Sequence, residues 1–358
     1  MNRILVYGMT NNPGGIESYL MNEFSLLDRE KAVFDFVVDF PQMCYEEKVR
    51  AMGSLIHFIP AKGKKLLSHW LSLYKILKQH PEYKKVYFNI LDAGAVFSML
   101  VPWLMGRKII AHSHNGSTGN MRLHLLCKPF LKLIADKKIA CSAVASQYMF
   151  DSADALIIHN AVDCASYKFN EEKRKEKRKE LQISDDTSVM CFVGRLTHQK
   201  NVHFLIDVFG KVLEKNKDSL LLVVGDGEEK DKMISGAKNL GIYDNIRFMG
   251  RRNDVPDILC ASDLFCMTSF YEGLSVVAVE AQASGLPCVF SDGMSEETKI
   301  NSNVCFVPLN ETADFWAEKT EEMKKLGRIT DQTALQTAGY DLSAVNQAQT
   351  ELLEYFYN

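Results

Sequence analysis

The chain has 358 residues, is 47% hydrophobic and carries a formal net charge of −3 at pH 7. That length can hold two α/β domains with separate cores, and the near-neutral balance gives no support to nucleic-acid binding. Charge is unevenly spread: residues 1–165 carry 19 Lys and Arg against 14 Asp and Glu, or +5, which leaves −8 for the remainder. Residues 4–7 predict a first strand, which leads through Gly14-Gly15 into a helix with Tyr19, Leu20 and Phe24 along one side. Two glycines at such a place let backbone amides approach a phosphate without Cβ obstruction. Further strands are predicted at 34–38, 54–59, 86–89, 108–112, 138–141 and 155–158. Among them lies a helix with apolar residues at Leu67, Trp70, Leu71, Tyr74 and Leu77, surrounded by Lys62, Lys64, Lys65, Lys75, Lys78, Lys84 and Lys85. Such a helix either packs on its own sheet with a solvated lysine side or lies on anionic lipid. The strand at 108–112 runs into His112-Ser113-His114-Asn115, whose two histidines at alternate positions point the same way. No third ligand at suitable spacing lies nearby, so no metal is assigned.

Glu171 to Arg178 is a run of charges that reads as a solvated helix opening a second domain. A second set of strands is predicted at 188–193, 220–224, 245–249, 264–267 and 288–290. The first ends in Gly194-Arg195-Leu196-Thr197-His198-Gln199-Lys200-Asn201, followed by a helical pattern at Val202, Leu205, Ile206 and Phe209. Arg195 and Lys200 would place two cations at a strand end, where they could neutralise a diphosphate. Gly225-Asp226-Gly227 after the next strand is a tight turn or a neighbour of a nucleotide. In the same way, Phe248 and Met249 either read a base edge through their backbone or belong to a buried strand ending in Gly250.

The most specific stretch follows the strand at 264–267. Glu272 precedes Gly273-Leu274-Ser275, which would open a helix with unpaired N–H groups that attract phosphate. Glu280 lies eight residues after Glu272, a rise of about 12 Å along a helix. That separation suits a ligand with a sugar at one end, a ribose at the other and a diphosphate between. Strand and helix alternate in both halves, so the fold class is α/β with two parallel sheets, each covered on both faces.

In this order, the segments at 190–201, 221–227, 246–250 and 269–287 resemble the donor-binding half of the retaining family 4 glycosyltransferases, of the group 1 type. The resemblance covers essentially the whole chain. It implies the GT-B fold: two Rossmann-like domains facing across a cleft, here 1–163 and 164–340, with a terminal helix at 341–358 that crosses back to the first. It implies Arg195 and Lys200 on the donor diphosphate, Glu272 and the Gly273, Leu274 and Ser275 amides near the sugar or phosphate, and Glu280 on the ribose hydroxyls. Gly14 and Gly15 would face the donor from the first domain. A histidine close to the reacting sugar aligns best with His114, and His112 is the second choice. Asn201 stands where many relatives have glycine, and asparagine tolerates left-handed backbone angles.

The implied reaction is retaining, front-face transfer from a nucleotide-diphosphate sugar, most often a UDP-sugar among relatives, to a glycan or lipid-linked glycan in cell-surface polysaccharide biosynthesis. No D-x-D pair occurs, so the expectation is a reaction without metal or other cofactor. Two alternatives stay open: a non-catalytic nucleotide-sugar-binding subunit of a transferase complex, and a sugar-nucleotide 2-epimerase. No apolar run approaches the length of a membrane-spanning helix, and residues 1–7 read as a strand and not as a secretion signal. Nine cysteines without a C-x-x-C pair suit reduced thiols, so the chain is expected in the cytoplasm, with loose attachment to an anionic membrane face.

Overall fold

The computed structural model describes residues 1–12, 14–116, 120–152, 154–272 and 274–358. They form two compact units, one of 1–161 with 345–358 and one of 162–344. The first unit begins β1 (Asn2–Tyr7), α1 (Gly15–Leu26), β2 (Ala32–Val38), α2 (Glu46–Ala51), β3 (Ile56–Phe58) and α3 (Lys62–Gln79). It continues with β4 (Lys85–Ile90), α4 (Val96–Leu104), β5 (Lys108–Ser113), α5 (Met121–Ile134), β6 (Lys137–Ala140), α6 (Ala143–Phe150) and β7 (Leu156–Ile157). The second unit runs through α7 (Cys164–Tyr167), α8 (Glu171–Glu180), β8 (Ser188–Val193), α9 (Val202–Lys215), β9 (Ser219–Val224), α10 (Lys230–Asn239) and β10 (Ile246–Gly250). It closes with α11 (Val255–Ala261), β11 (Leu264–Met267), α12 (Val276–Ala283), β12 (Cys288–Ser291), β13 (Val304–Val307), α13 (Ala313–Lys325) and α14 (Thr333–Thr337). The chain then returns to the first unit with α15 (Gln347–Tyr357).

Both sheets are parallel. The first has seven strands in the order β3-β2-β1-β4-β5-β6-β7, the second six in the order β10-β9-β8-β11-β12-β13. Apolar runs such as Leu220–Val224, buried throughout, suit strands covered on both faces. Right-handed crossovers put α1 and α2 on one side of the first sheet and α3 to α6 on the other. The apolar side of α15 joins α1, where the ring of Phe356 lies 5.3 Å from those of Phe34 and Tyr87. Residues 341–344 stay with the second unit, tied by a parallel bridge between Val162 and Asp341. The sixth strand of the second sheet, β13, has no counterpart in the sequence reading: it is four residues long, on an edge, and followed at once by Pro308.

Two helices differ from expectation. In α3 the apolar residues split over two faces. His69, Leu73, Ile76 and Leu77 are buried, and Trp70 reaches α4 by donating Nε1–H to the Phe97 carbonyl at 2.6 Å. Leu67, Leu71 and Tyr74 are exposed. In α8 the charge run is not solvated all round. Arg178, at 1% exposure, donates to the carbonyls of Ala261 (2.8 Å), Ser184 (2.7 Å) and Thr187 (2.6 Å). Arg174 holds Ser262 O and Asp263, and Lys177 pairs with Asp254 at 2.7 Å. Cations thereby satisfy the last carbonyls of α11, the end of a helix that favours positive charge.

Arg178→Met should therefore strip a charged donor from three carbonyls, of which Ala261 O keeps Arg174 and Ser184 O keeps the Thr187 N–H, and cost roughly 2–4 kcal/mol of stability. Lys175→Ala, on the exposed side of the same helix, should change it by less than about 0.5 kcal/mol. Denaturant unfolding at an unchanged m-value would check both.

Candidate active site

In the second sheet β8 and β11 are neighbours, and the connections that follow them leave in opposite directions, toward β9 and toward β12. The loops at their carboxyl ends therefore diverge and open a crevice, the usual ligand position in such sheets. The loop after β8 carries Arg195 and Lys200 and ends at Asn201, whose φ of 48° is left-handed. The hydroxyl of Thr268, just past β11, donates to the carbonyls of Lys200 (3.3 Å) and Asn201 (3.0 Å), and Phe270 N–H donates to Gln199 O at 2.8 Å. These bonds fix one loop on the other.

Across the join, Lys200 Nζ lies 2.7 Å from Glu272 Oε1, with the two side chains 13% and 11% exposed. Gln199 Nε2 donates to the same oxygen at 3.2 Å. Glu272 N–H in turn donates to Gly293 O at 2.9 Å. A Cβ on Gly293 would stand 2.2 Å from Phe270 O, so this support needs glycine. Arg195 is exposed, and its guanidinium has no hydrogen-bond or ion-pair partner among the described residues. One cation is thus held by a carboxylate while the other is idle.

Leu274 and Ser275 are buried at the start of α12, and Gly273 lies outside the described residues. Ser275 occupies the N-cap position without capping; its hydroxyl faces Met267 Sδ at 3.8 Å. The first amides of α12 therefore lack a side-chain acceptor at their cap. Further along α12, Glu280 accepts a hydrogen bond from the Tyr167 hydroxyl at 2.8 Å. Burial pushes its carboxyl up to about 7, against the opposing pull of that bond.

Gly225 has φ +135°, and a Cβ there would lie 1.8 Å from Gly194 O. One on Gly227 would lie 2.3 Å from Leu196 O. The Gly-Asp-Gly turn is therefore a brace packed under the Arg195 loop. Phe248 and Met249 sit on β10, an edge strand, where the pairing with β9 slips between Phe248 and Gly250 and leaves Met249 out of the ladder. Neither makes a hydrogen bond with Lys200 or Glu272.

In the first unit, Gly14 caps α1 and Gly15 is its first residue. The Glu17 carboxylate accepts from Thr10 Oγ1 at 2.6 Å, and its Oε2 stands 2.8 Å from where a Gly14 Cβ would be. This helix start already has a negative charge, so a phosphate approaching Gly14 would meet it. His112 and His114 point the same way, with ring centroids 4.1 Å apart. His114 Nε2 donates to Asn89 Oδ1 at 2.8 Å, and Asn89 Nδ2 is 3.4 Å from Tyr7 O. Burial holds the His114 pKa down at about 3 despite Asn160, and drives that of His112 well below the ordinary value, helped by His114. Both rings are neutral at pH 7.

Behind them runs a buried polar chain. His112 Nδ1 meets the Tyr87 hydroxyl at 2.7 Å, Tyr87 meets Tyr19 at 3.2 Å, and Tyr19 donates to Glu23 Oε2 at 2.9 Å. Gln349 of α15 donates to both Glu23 oxygens, at 2.8 and 2.7 Å. Burial raises the Glu23 carboxyl to about 7, with Gln349 and Tyr19 pulling it back. Sequence reasoning missed this chain, together with Gln199, Gly293 and Tyr167. The one available signal was a glutamate at helical spacing from Tyr19 on the apolar side of α1.

Comparison with known proteins bears on the family and the fold. Residues 173–334 match the family described as Glycosyl transferases group 1. The chain is 28% identical over 348 residues to a protein of Bacillus subtilis named as the glycosyltransferase EpsF, covering 92% of this chain and 90% of the relative. It is also 28% identical over 348 residues to the UDP-Gal:alpha-D-GlcNAc-diphosphoundecaprenol alpha-1,3-galactosyltransferase of Escherichia coli, covering 90% and 86%. The crystal structure of Anabaena HepE in complex with UDP and glucose superposes with a TM-score of 0.81 at 20% identity, over 99% of this chain and all (100%) of HepE. At that identity the likeness establishes the two-sheet GT-B fold.

The buried Glu23 gives a pH test. Between its ordinary value of 4.5 and about 7 the folded state keeps a proton that the unfolded chain has lost. Taken alone, this makes stability fall as pH rises through that window and then level off, while buried His112 and His114 act with the opposite sign below their ordinary value of 6.5. Glu280 contributes with the same sign as Glu23, so the Glu23 contribution is read as a difference: the stability of Glu23→Gln relative to wild type should rise from about pH 5 to about pH 7.5, as urea unfolding of both proteins would measure.

Proposed function

We propose that this chain, which belongs to the group 1 glycosyl transferases and has the GT-B fold, transfers a sugar with retention from a UDP-sugar to a glycan or lipid-linked glycan acceptor in cell-surface polysaccharide assembly. The observation that carries the reading is the Lys200–Glu272 contact beside the idle Arg195, at the point where the loops after β8 and β11 part. A donor diphosphate would draw Lys200 and Arg195 onto its oxygens and share the uncapped start of α12. Glu272, released from Lys200, would accept from sugar hydroxyls. Glu280 would exchange the Tyr167 hydroxyl for those of the ribose.

As the bond from the anomeric carbon to the phosphate oxygen lengthens, its electron pair moves onto the phosphate. The two cations stabilise that charge more than the ground state, which is the source of rate. The acceptor oxygen enters from the same face, and its proton passes to the departing phosphate oxygen. His114, neutral at working pH, orients a hydroxyl by hydrogen bonding and does not serve as an acid. Support for the donor comes from HepE, which is solved with UDP, and for the acceptor from the E. coli relative, whose acceptor is linked to undecaprenol. A lipid-linked acceptor would bring the protein to an anionic membrane face. The charge on the phosphate is met by side chains, so the reaction needs no metal.

Arg195→Ala and Lys200→Ala should each lower kcat about 10²- to 10³-fold, while thermal shift with UDP keeps reporting a folded protein. An epimerised product from donor alone would favour an epimerase instead. Turnover should also persist in excess EDTA; a loss restored by Mn²⁺ or Mg²⁺ would overturn the metal-free mechanism.

A further inference from the structure

α5 is a helix with more apolar surface than its fold requires. His124, Cys127, Lys128, Leu131 and Ile134 form its buried face at helical spacing and satisfy its packing. On the opposite face Leu125, Leu126, Phe130 and Leu133 are 59%, 72%, 61% and 74% exposed. A helix serving only the core would carry polar residues there. The stripe continues onto α4, where Trp103 is 41% and Leu104 73% exposed. Trp103 and Leu133 line one shallow hollow with Arg107 and Lys108, so the two helices share a single surface.

The electrostatics of this flank select a partner. α3, α4 and α5 contain no Asp or Glu. Lys128 and Lys132 are matched by Asp151, and Lys108 by Asp136. Arg122 on α5 and Arg107, which lines the shared hollow, make no ion pair among the described residues and add positive charge beside the leucines. An exposed apolar patch of this kind marks an interaction site. A second copy of the chain on a two-fold axis would set one cationic rim against another, which is unfavourable. An anionic bilayer takes both features at once, leucines and aromatics in the acyl boundary and cations among the head groups.

We propose that the outer face of α5 with the end of α4 docks the protein on an anionic lipid bilayer. α5 starts at Met121, seven residues after His114, so a docked bilayer would lie close in sequence to the proposed acceptor side. The proposal deepens the lipid-linked acceptor reading, but vesicle binding tests it without reference to turnover. α3, whose lysines and exposed Leu67 and Leu71 are the alternative contact, provides the comparison.

The experiment is co-flotation of the full chain with phosphatidylglycerol–phosphatidylcholine vesicles and with phosphatidylcholine alone, at low salt. Binding to the anionic vesicles only is expected. Leu126→Glu with Leu133→Glu should weaken it about tenfold or more, whereas Leu67→Glu with Leu71→Glu should leave most of it. UDP-induced thermal shift in each variant confirms that the fold persists. If wild-type protein ignores anionic vesicles, or if the α5 variant floats like wild type while the α3 variant does not, the proposal fails. It also fails if light scattering shows a dimer that the α5 variant dissociates, because the face would then be a self-interface. Loss of vesicle binding with UDP binding intact leaves the transferase reading standing.

Discussion

Two loops from adjacent strands of the second sheet, already tied by backbone and hydroxyl hydrogen bonds, also meet through a pair of opposite charges, the ammonium of Lys200 and the carboxylate of Glu272. At an effective dielectric near 20, opposite charges this close attract by about 6 kcal/mol, and desolvating two nearly buried groups cancels most of it. The pair is therefore a poor source of stability and a good means of position. It keeps a cation and an anion at the crevice, each ready for a ligand group of opposite character. Glycines make the geometry possible, since Gly225 and Gly293 stand where any side chain would strike the backbone of Gly194 or Phe270.

The first unit solves a related problem with neutral groups. His112 and His114 are too deeply set to hold a proton, so their orientation comes from hydrogen bonds to Tyr87 and Asn89. Tyr87 is fixed by Tyr19 and Glu23, and Glu23 by Gln349. A buried carboxyl with a pKa raised to about 7 is tolerable here because donors surround it. The polar chain and the ring contacts of Phe356 together make α15 part of what positions His112 and not an appendage.

Much of this was legible in residue order. Strands buried on both faces leave unbroken apolar runs, and glycine, Arg195, Lys200 and Glu272 stand at strand ends where the topology puts ligands. What could not be read depended on tertiary partners. The charges of α8 look solvated until α11 supplies carbonyl acceptors for Arg174 and Arg178. The apolar residues of α3 look like one face because spacing alone does not say which of them α4 covers. Tyr167 meets Glu280 across 113 positions, and no local pattern announces such a pair. Likewise the Gly225 turn carried two explanations in sequence, and Gly14 one that took no account of a neighbouring carboxylate. In the structure the turn is a brace, and Glu17 already stands beside Gly14.

The return of α15 to the first unit has a consequence for biogenesis. In the gene order, the entire second unit is an insertion within the first, between 161 and 345. Domains tend to fold as they leave the ribosome, amino-terminal parts first. Here Glu23 and the apolar flank of β1, Phe34 and Tyr87 wait without their cover until all of residues 162–344 have been translated. Nascent chains of this protein thus pass through a stage in which the later unit can be finished and the earlier one cannot.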